Sequence, residues 1–119
     1  MTDGDDQSEA FFEQLVVDAM ETLPRDLRDH MSNVEILVEG EPPPGKPYLG
    51  LYEGLPLPLR GKIGISLRPD KITIYRGPLE RLCAGDPGRL AGEVRRVVLH
   101  EIAHHFGISD ERLIEIDRY

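Results

Sequence analysis

Two histidines separated by three residues place the strongest restriction on how this chain can fold. His100 and His104 stand in the run His100-Glu101-Ile102-Ala103-His104. Residues four apart lie on one face of an α-helix, one turn above the other, so a helix here brings both imidazoles to a single metal ion. The spacing is typical of zinc sites. It predicts that His100 and His104 are ligands of Zn²⁺.

Glu101 adds a chemical role to this pair. It follows His100 directly, and a helical rotation of about 100° per residue places its carboxylate beside the metal without making it a ligand. A carboxylate in that place can take a proton from a water bound to the metal. Glu101 is therefore the candidate general base, and a site that serves structure alone would not need it.

Gly107 stands three residues after His104, where a chain that leaves a helix and turns back uses a residue free to adopt positive φ. Such a turn carries Asp110 back toward the metal, and Asp110 is the candidate third ligand. Two alternatives stay open. An acidic residue in the first turn of a following helix is favoured by the helix dipole without any metal, and Glu111 or Glu115 can supply the carboxylate instead.

The two remaining histidines are not predicted ligands. His105 is rotated about 100° from His104 and should not reach the same ion, so it either packs in the core or supports the site. His30 is isolated in a polar stretch, where a histidine is usually a surface residue.

The run from His100 to Asp110 matches HExxHxxGxxD, which resembles the zincin metallopeptidases, and among them the metzincin and snapalysin types whose third ligand follows a glycine turn. The stretches Ile72–Leu79 and Phe106–Asp110 extend the likeness to the small predicted bacterial zinc metallopeptidases with a minimal zincin fold. The resemblance implies the α+β class, with a small mixed sheet packed on an N-terminal helix and a long HExxH active-site helix.

Hydrophobic patterns and capping residues predict the elements of this fold. Asp86 and Pro87 are the expected N-cap and first residue of the long helix. Its buried face is predicted at Arg95, Leu99, Ile102 and Phe106, with Val94, Val98 and Ala103 beside them. The expected helices span 8–23, 79–84, 88–106 and a last one from Ser109; the expected strands span 34–39, 48–53 and 71–76, with an irregular proline-rich loop at 41–47 and no clear assignment for 60–68.

Size, charge and cysteine content restrict the class of protein. The 119 residues suit one domain, predicted at 8–119 behind a disordered tail at 1–7. A formal net charge of −8 argues against nucleic acid as a partner. The single Cys83, the acidic first residues and the lack of an apolar run of about 18 residues predict a cytoplasmic protein outside the membrane.

Two functions are compatible with these residues. The first is a zinc-dependent metallopeptidase that hydrolyses a peptide or amide bond with a zinc-bound water activated by Glu101. Its peptide or protein substrate would bind as an added strand, with Lys71–Arg76 as the candidate edge, and Tyr75 or Tyr119 would stabilise the oxyanion. The second is a non-catalytic zinc-binding or regulatory module that keeps a zincin shell. The presence of Glu101 favours the enzyme.

Overall fold

A computed structural model describes residues 2–31, 33–54 and 69–108. These residues form four helices and a three-stranded sheet, which confirms the mixed α and β class. The elements in chain order are α1 (Thr2–Glu21), α2 (Arg25–Asp29), β1 (Val34–Glu39), β2 (Gly50–Glu53), β3 (Asp70–Tyr75), α3 (Arg76–Cys83) and α4 (Pro87–His105). The segment 60–68 and the last helix predicted from Ser109 lie outside the described residues.

The sheet is mixed, as expected, but its lateral order differs from the prediction. The order is β1-β3-β2, with β1 parallel and β2 antiparallel to β3. The strand at Lys71–Arg76 was predicted as the edge that receives a substrate, and this is wrong because β3 is paired on both sides. Closeness in sequence to the metal motif does not determine lateral position in a sheet. Among the strands that the structure describes, β2 lies at an edge and packs against α4.

The core lies between one face of this sheet and the helices α1 and α4. Ile72 and Ile74 of β3 are fully buried there, and the apolar side of α1 supplies Phe12 and Val16 to the same cluster. Alternation along β3 directs Lys71, Thr73 and Tyr75 to the opposite face. The site helix is therefore enclosed on two sides, by the sheet and by α1.

Helix α4 begins as its sequence predicts. Asp86 is the N-cap, its carboxylate accepts hydrogen bonds from the backbone N–H groups of Gly88 and Arg89 at 3.0 and 3.2 Å, and Pro87 is the first helical residue. These bonds satisfy two of the donors that every helix start leaves unpaired. The start of the site helix is thus fixed locally, independently of tertiary contacts.

The buried face of α4 agrees with the prediction at Val94, Val98 and Ile102 and differs from it at other positions. Arg95 is exposed and Leu99 and Phe106 are only half-buried, whereas the buried residues are Leu90, Val94, Val97, Val98, Glu101, Ile102 and His105. The error has a physical cause. Two polar residues, Glu101 and His105, occupy part of the buried face, and a pattern of apolar residues does not include them.

Two helices begin earlier in the chain than the sequence predicts. Helix α1 starts at Thr2 rather than at Ser8, and α3 starts at Arg76 rather than at Leu79. Acidic residues are favoured at helix starts, so an acidic first segment suits a helix as well as a tail.

Among the described residues, no helix has the length and apolar character needed to cross a bilayer.

The docking of α1 can be tested with two adjacent phenylalanines. Phe12 is 0% exposed and Phe11 is 45% exposed. We expect Phe12→Ala to lower the free energy of unfolding by about 3–5 kcal/mol, because a buried ring leaves a cavity, and Phe11→Ala to change it by about 0.5 kcal/mol or less. Urea denaturation measures both. Equal losses would show that α1 does not pack through the Phe12 face.

Candidate metal centre

The last two turns of α4 bring three possible metal-binding side chains together. His100, Glu101 and His104 each offer a ligand atom, and these atoms all lie within 4.8 Å of one another. The two imidazole rings meet edge to face, with centroids 4.9 Å apart. Both histidines are half-buried, and Glu101 is 8% exposed. The predicted stacking of His100 and His104 on one helix face is therefore present.

This donor set fits zinc. Imidazole nitrogens bind zinc at about 2.0–2.1 Å, which in a tetrahedron places neighbouring ligand atoms roughly 3.3 Å apart. The ligand atoms of His100 and His104 lie within 4.8 Å of each other. Among the described residues, this is the one group of three or more histidine, cysteine or acidic side chains close enough to share an ion.

A cleft opens beside the cluster. It has a volume of about 240 Å³ and lies between the segment Pro47–Gly50 and the residues Arg96, Val97, His100 and Glu101 of α4. The segment that leads into β2 therefore lines one wall, and the candidate ligand His100 and the candidate base Glu101 line the other. Tyr48 and Arg96, which sequence reasoning did not assign to the site, are the polar side chains added by this arrangement.

Gly50 allows the strand to come this close. A Cβ built on Gly50 would lie 2.8 Å from Cγ1 of Val97 and 3.1 Å from Cγ of Glu101. Because real Cβ atoms do not approach so closely, any larger residue would push the edge strand or the Glu101 side chain away. The sequence held only an ambiguous signal, since glycine inside a strand can mark either a weak strand or a close approach.

A second polar cluster lies behind the metal face. Nδ1 of His105 is 2.7 Å from Oδ2 of Asp70, and the hydroxyl of Tyr52 donates to the same oxygen at 2.5 Å. Asp70 and His105 are each 1% exposed. His105 thus does not share the metal group and lies in the core, one of the two roles the sequence left open. Asp70 was missed because it reads simply as a residue preceding a strand.

The helix ends in the turn that Gly107 predicts. Gly107 has φ 85°, its N–H donates to the carbonyl of His104 at 2.9 Å, and the N–H of Ile108 donates to the carbonyl of Ala103 at 2.9 Å. This pair of bonds is the Schellman arrangement, in which the chain reverses immediately after the helix. Asp110, the predicted third ligand, and the alternatives Glu111 and Glu115 lie outside the described residues.

A family model described as zincin-like metallopeptidase matches residues 31–119 of the chain. The chain belongs to this family. No curated protein matches it significantly. The matched range includes the HExxH motif and begins after α1, so the helix that supplies Phe12 to this zincin-like core lies before the part that the family model describes.

Two other residues considered from the sequence lie apart from the zincin-like cluster. Tyr75 lines a depression on the opposite face of the sheet, together with Glu39, Glu53 and Lys71. Burial, followed by the charges of Glu53 and Glu39, raises the pKa of Tyr75, so its phenol stays protonated. His30 is exposed, and its Nδ1 lies 2.8 Å from the carbonyl oxygen of Asp26.

The turn after the metal helix can be tested with two glycines. Gly107→Ala places a Cβ in the left-handed region, and we expect it to lower the free energy of unfolding by about 1–2 kcal/mol. Gly92→Ala is the matched control: Gly92 is exposed inside α4 with nothing near its Cβ position. That change should raise stability by about 0.5–1 kcal/mol. Thermal and urea unfolding measure the stability of both variants. A change of the same sign in the two variants would contradict the role of Gly107 in the turn.

Proposed function

We propose that this chain is a zinc-dependent metallopeptidase that hydrolyses a peptide or amide bond with Glu101 as the general base. The observation that carries the proposal is the grouping of His100, Glu101 and His104 within 4.8 Å beside an open cleft. Membership of the zincin-like family supports it. A purely structural metal site needs the histidines but does not need a carboxylate beside them.

Each residue has a distinct task in this proposal. His100 and His104 hold the zinc through imidazole nitrogens, and Asp110 supplies the third ligand after the Gly107 turn. When bound there, zinc polarises a substrate carbonyl and makes water more acidic. Glu101 accepts a proton from the attacking water and returns it to the leaving nitrogen, so no net proton is gained or lost. Both histidines are only half-buried, so the side of α4 that carries them is accessible to a substrate.

The proposed substrate is a peptide or protein chain that lies along the cleft. Among the described strands, β2 is paired with β3 alone, so its other edge carries backbone groups suited to an added strand. This replaces the edge predicted at Lys71–Arg76. The approach of Gly50 to Glu101 places that edge beside the candidate base. We expect the reaction in the cytoplasm, where the single, buried Cys83 stays reduced.

Metal binding gives the first test. The purified chain should bind one Zn²⁺ per molecule, and Asp110→Asn should weaken the affinity by tenfold or more, because an amide is a poorer ligand than a carboxylate while it keeps the size of the side chain. Glu111→Gln is the matched control and should leave affinity unchanged. Competition with a chromogenic chelator measures all three. If zinc affinity fell in the Glu111 variant alone, Glu111 rather than Asp110 would be the third ligand.

The base is tested by Glu101→Gln, which keeps size and hydrogen bonding but cannot take up a proton at neutral pH. We expect full zinc content and a loss of turnover of about 10² or more, the scale of a positioned acid–base group. Glu13→Gln on the exposed side of α1 is the matched control. Substrates come from cleavage profiles of a proteome-derived peptide library, with and without chelator.

Two results would contradict this mechanism. Undiminished turnover in zinc-loaded Glu101→Gln would remove Glu101 as the base. A zinc-loaded native chain that cleaves no library peptide would favour the alternative, a non-catalytic zinc-binding module.

A further inference from the structure

The metal helix is held from behind by a buried polar cluster built from three separate elements. Tyr52 comes from β2, Asp70 from β3 and His105 from α4, and we call these three residues the polar clamp. The clamp also reaches the segment after α2, because Nε2 of His105 lies 3.2 Å from the carbonyl oxygen of His30. Both ring nitrogens of His105 therefore lie near oxygen atoms, one on the buried Asp70 and one on the backbone of His30.

We propose that the polar clamp positions the metal ligands by fixing the end of α4 against the sheet. The inference rests on the proposed zinc site, and it assigns the clamp residues a positioning role. None of the three is proposed as a ligand or as a group that touches the substrate. His105 is the link, since it directly follows His104 and precedes the Gly107 turn.

The other buried side chains of α4 are mostly apolar in the part of the chain that the structure describes. The helix meets the sheet and α1 mainly through aliphatic side chains, among them Val94, Val97, Val98 and Ile102. The hydrophobic effect behind such contacts depends on the apolar area buried and has no preferred direction. Hydrogen bonds at 2.7 and 2.5 Å to one carboxylate oxygen have a defined direction. The clamp thus supplies a directional contact at the metal end of α4, which helps to set its rotation and its height against the sheet.

Strand β2, which supplies Tyr52 to the polar clamp, also contacts the candidate base Glu101. Gly50 at the start of β2 lies against Glu101, and Tyr52, two residues later on the same face, reaches the clamp. Gly54 closes the cluster, because a Cβ at that position would overlap the carboxylate of Asp70. Strand β2 therefore touches α4 at two heights, and a shift of the clamp changes both the ligand positions and the width of the cleft.

A buried polar cluster of this kind is weak evidence for stability. Well-packed apolar side chains of similar volume often replace such groups without loss of stability, whereas removal of one partner leaves the other unsatisfied. This difference separates positioning from simple support of the fold. If the clamp only supports the fold, an apolar replacement that restores packing also restores the metal site.

The experiment compares four proteins loaded with Zn²⁺ and, separately, with Co²⁺, whose visible absorption reports coordination geometry. They are the native chain, Tyr52→Phe, the triple variant Tyr52→Phe/Asp70→Leu/His105→Phe, and Val94→Ala. The last is the matched control, since Val94 is buried in the same helix away from the metal group. Urea unfolding gives the stability of each protein, and chelator competition gives its zinc affinity.

We expect the folded triple variant to bind zinc at least tenfold more weakly and to show a changed cobalt spectrum, in line with losses of about 10–100-fold when groups around metal ligands are removed. Tyr52→Phe, which deletes one hydroxyl, should shift both readouts in the same direction by a smaller amount. Val94→Ala should lose stability and keep the native affinity and spectrum.

The outcomes separate the two proposals. Native affinity and spectrum in the folded triple variant would overturn the positioning role and leave the zinc site intact. If the triple variant does not fold, Tyr52→Phe decides: readouts like those of Val94→Ala overturn the role, and a weakened, spectrally changed site supports it. A native chain that binds neither metal would overturn the proposed function, and the positioning role with it.

Discussion

The structure depends on the requirement that α4 bury one side while the adjacent side stays open. A helix gives each residue a direction every 100° or so, and the boundary between the two sides passes between His100 and Glu101. Glu101 lies at the inner edge, 8% exposed, and His100 and His104 lie at the outer edge. His100, Glu101 and His104 therefore lie at the boundary of the core. Their backbone is held by packed residues, while their side chains border the cleft.

That arrangement explains why the core around α4 is not fully apolar. Asp70 and His105 are as deeply buried as the aliphatic residues near them, and burial of such groups is costly unless they are hydrogen-bonded. They satisfy each other, with Tyr52 as the third member. The directional contact they provide lies directly behind His104, where a metal site has the smallest tolerance for displacement.

The range that matches the family model and the segment that forms the hydrophobic core do not begin at the same residue. The zincin-like match starts at residue 31, whereas Phe12, Val16 and Ala19 of α1 belong to the core that packs against α4. A sheet of three strands covers only one side of a helix as long as α4. Helix α1 covers another, so the support of the metal helix includes a segment that the family model does not describe.

The sequence by itself determined the local features: the zinc-type spacing, the start of α4 at Asp86 and Pro87, and the turn at Gly107. Each depends on bonds between residues close in the chain. Tertiary structure alone decided the central place of β3, the contact of Gly50 with Glu101, and the joining of Tyr52, Asp70 and His105. These contacts bring together residues that are 18 to 53 positions apart, and local patterns carry no information about such distances.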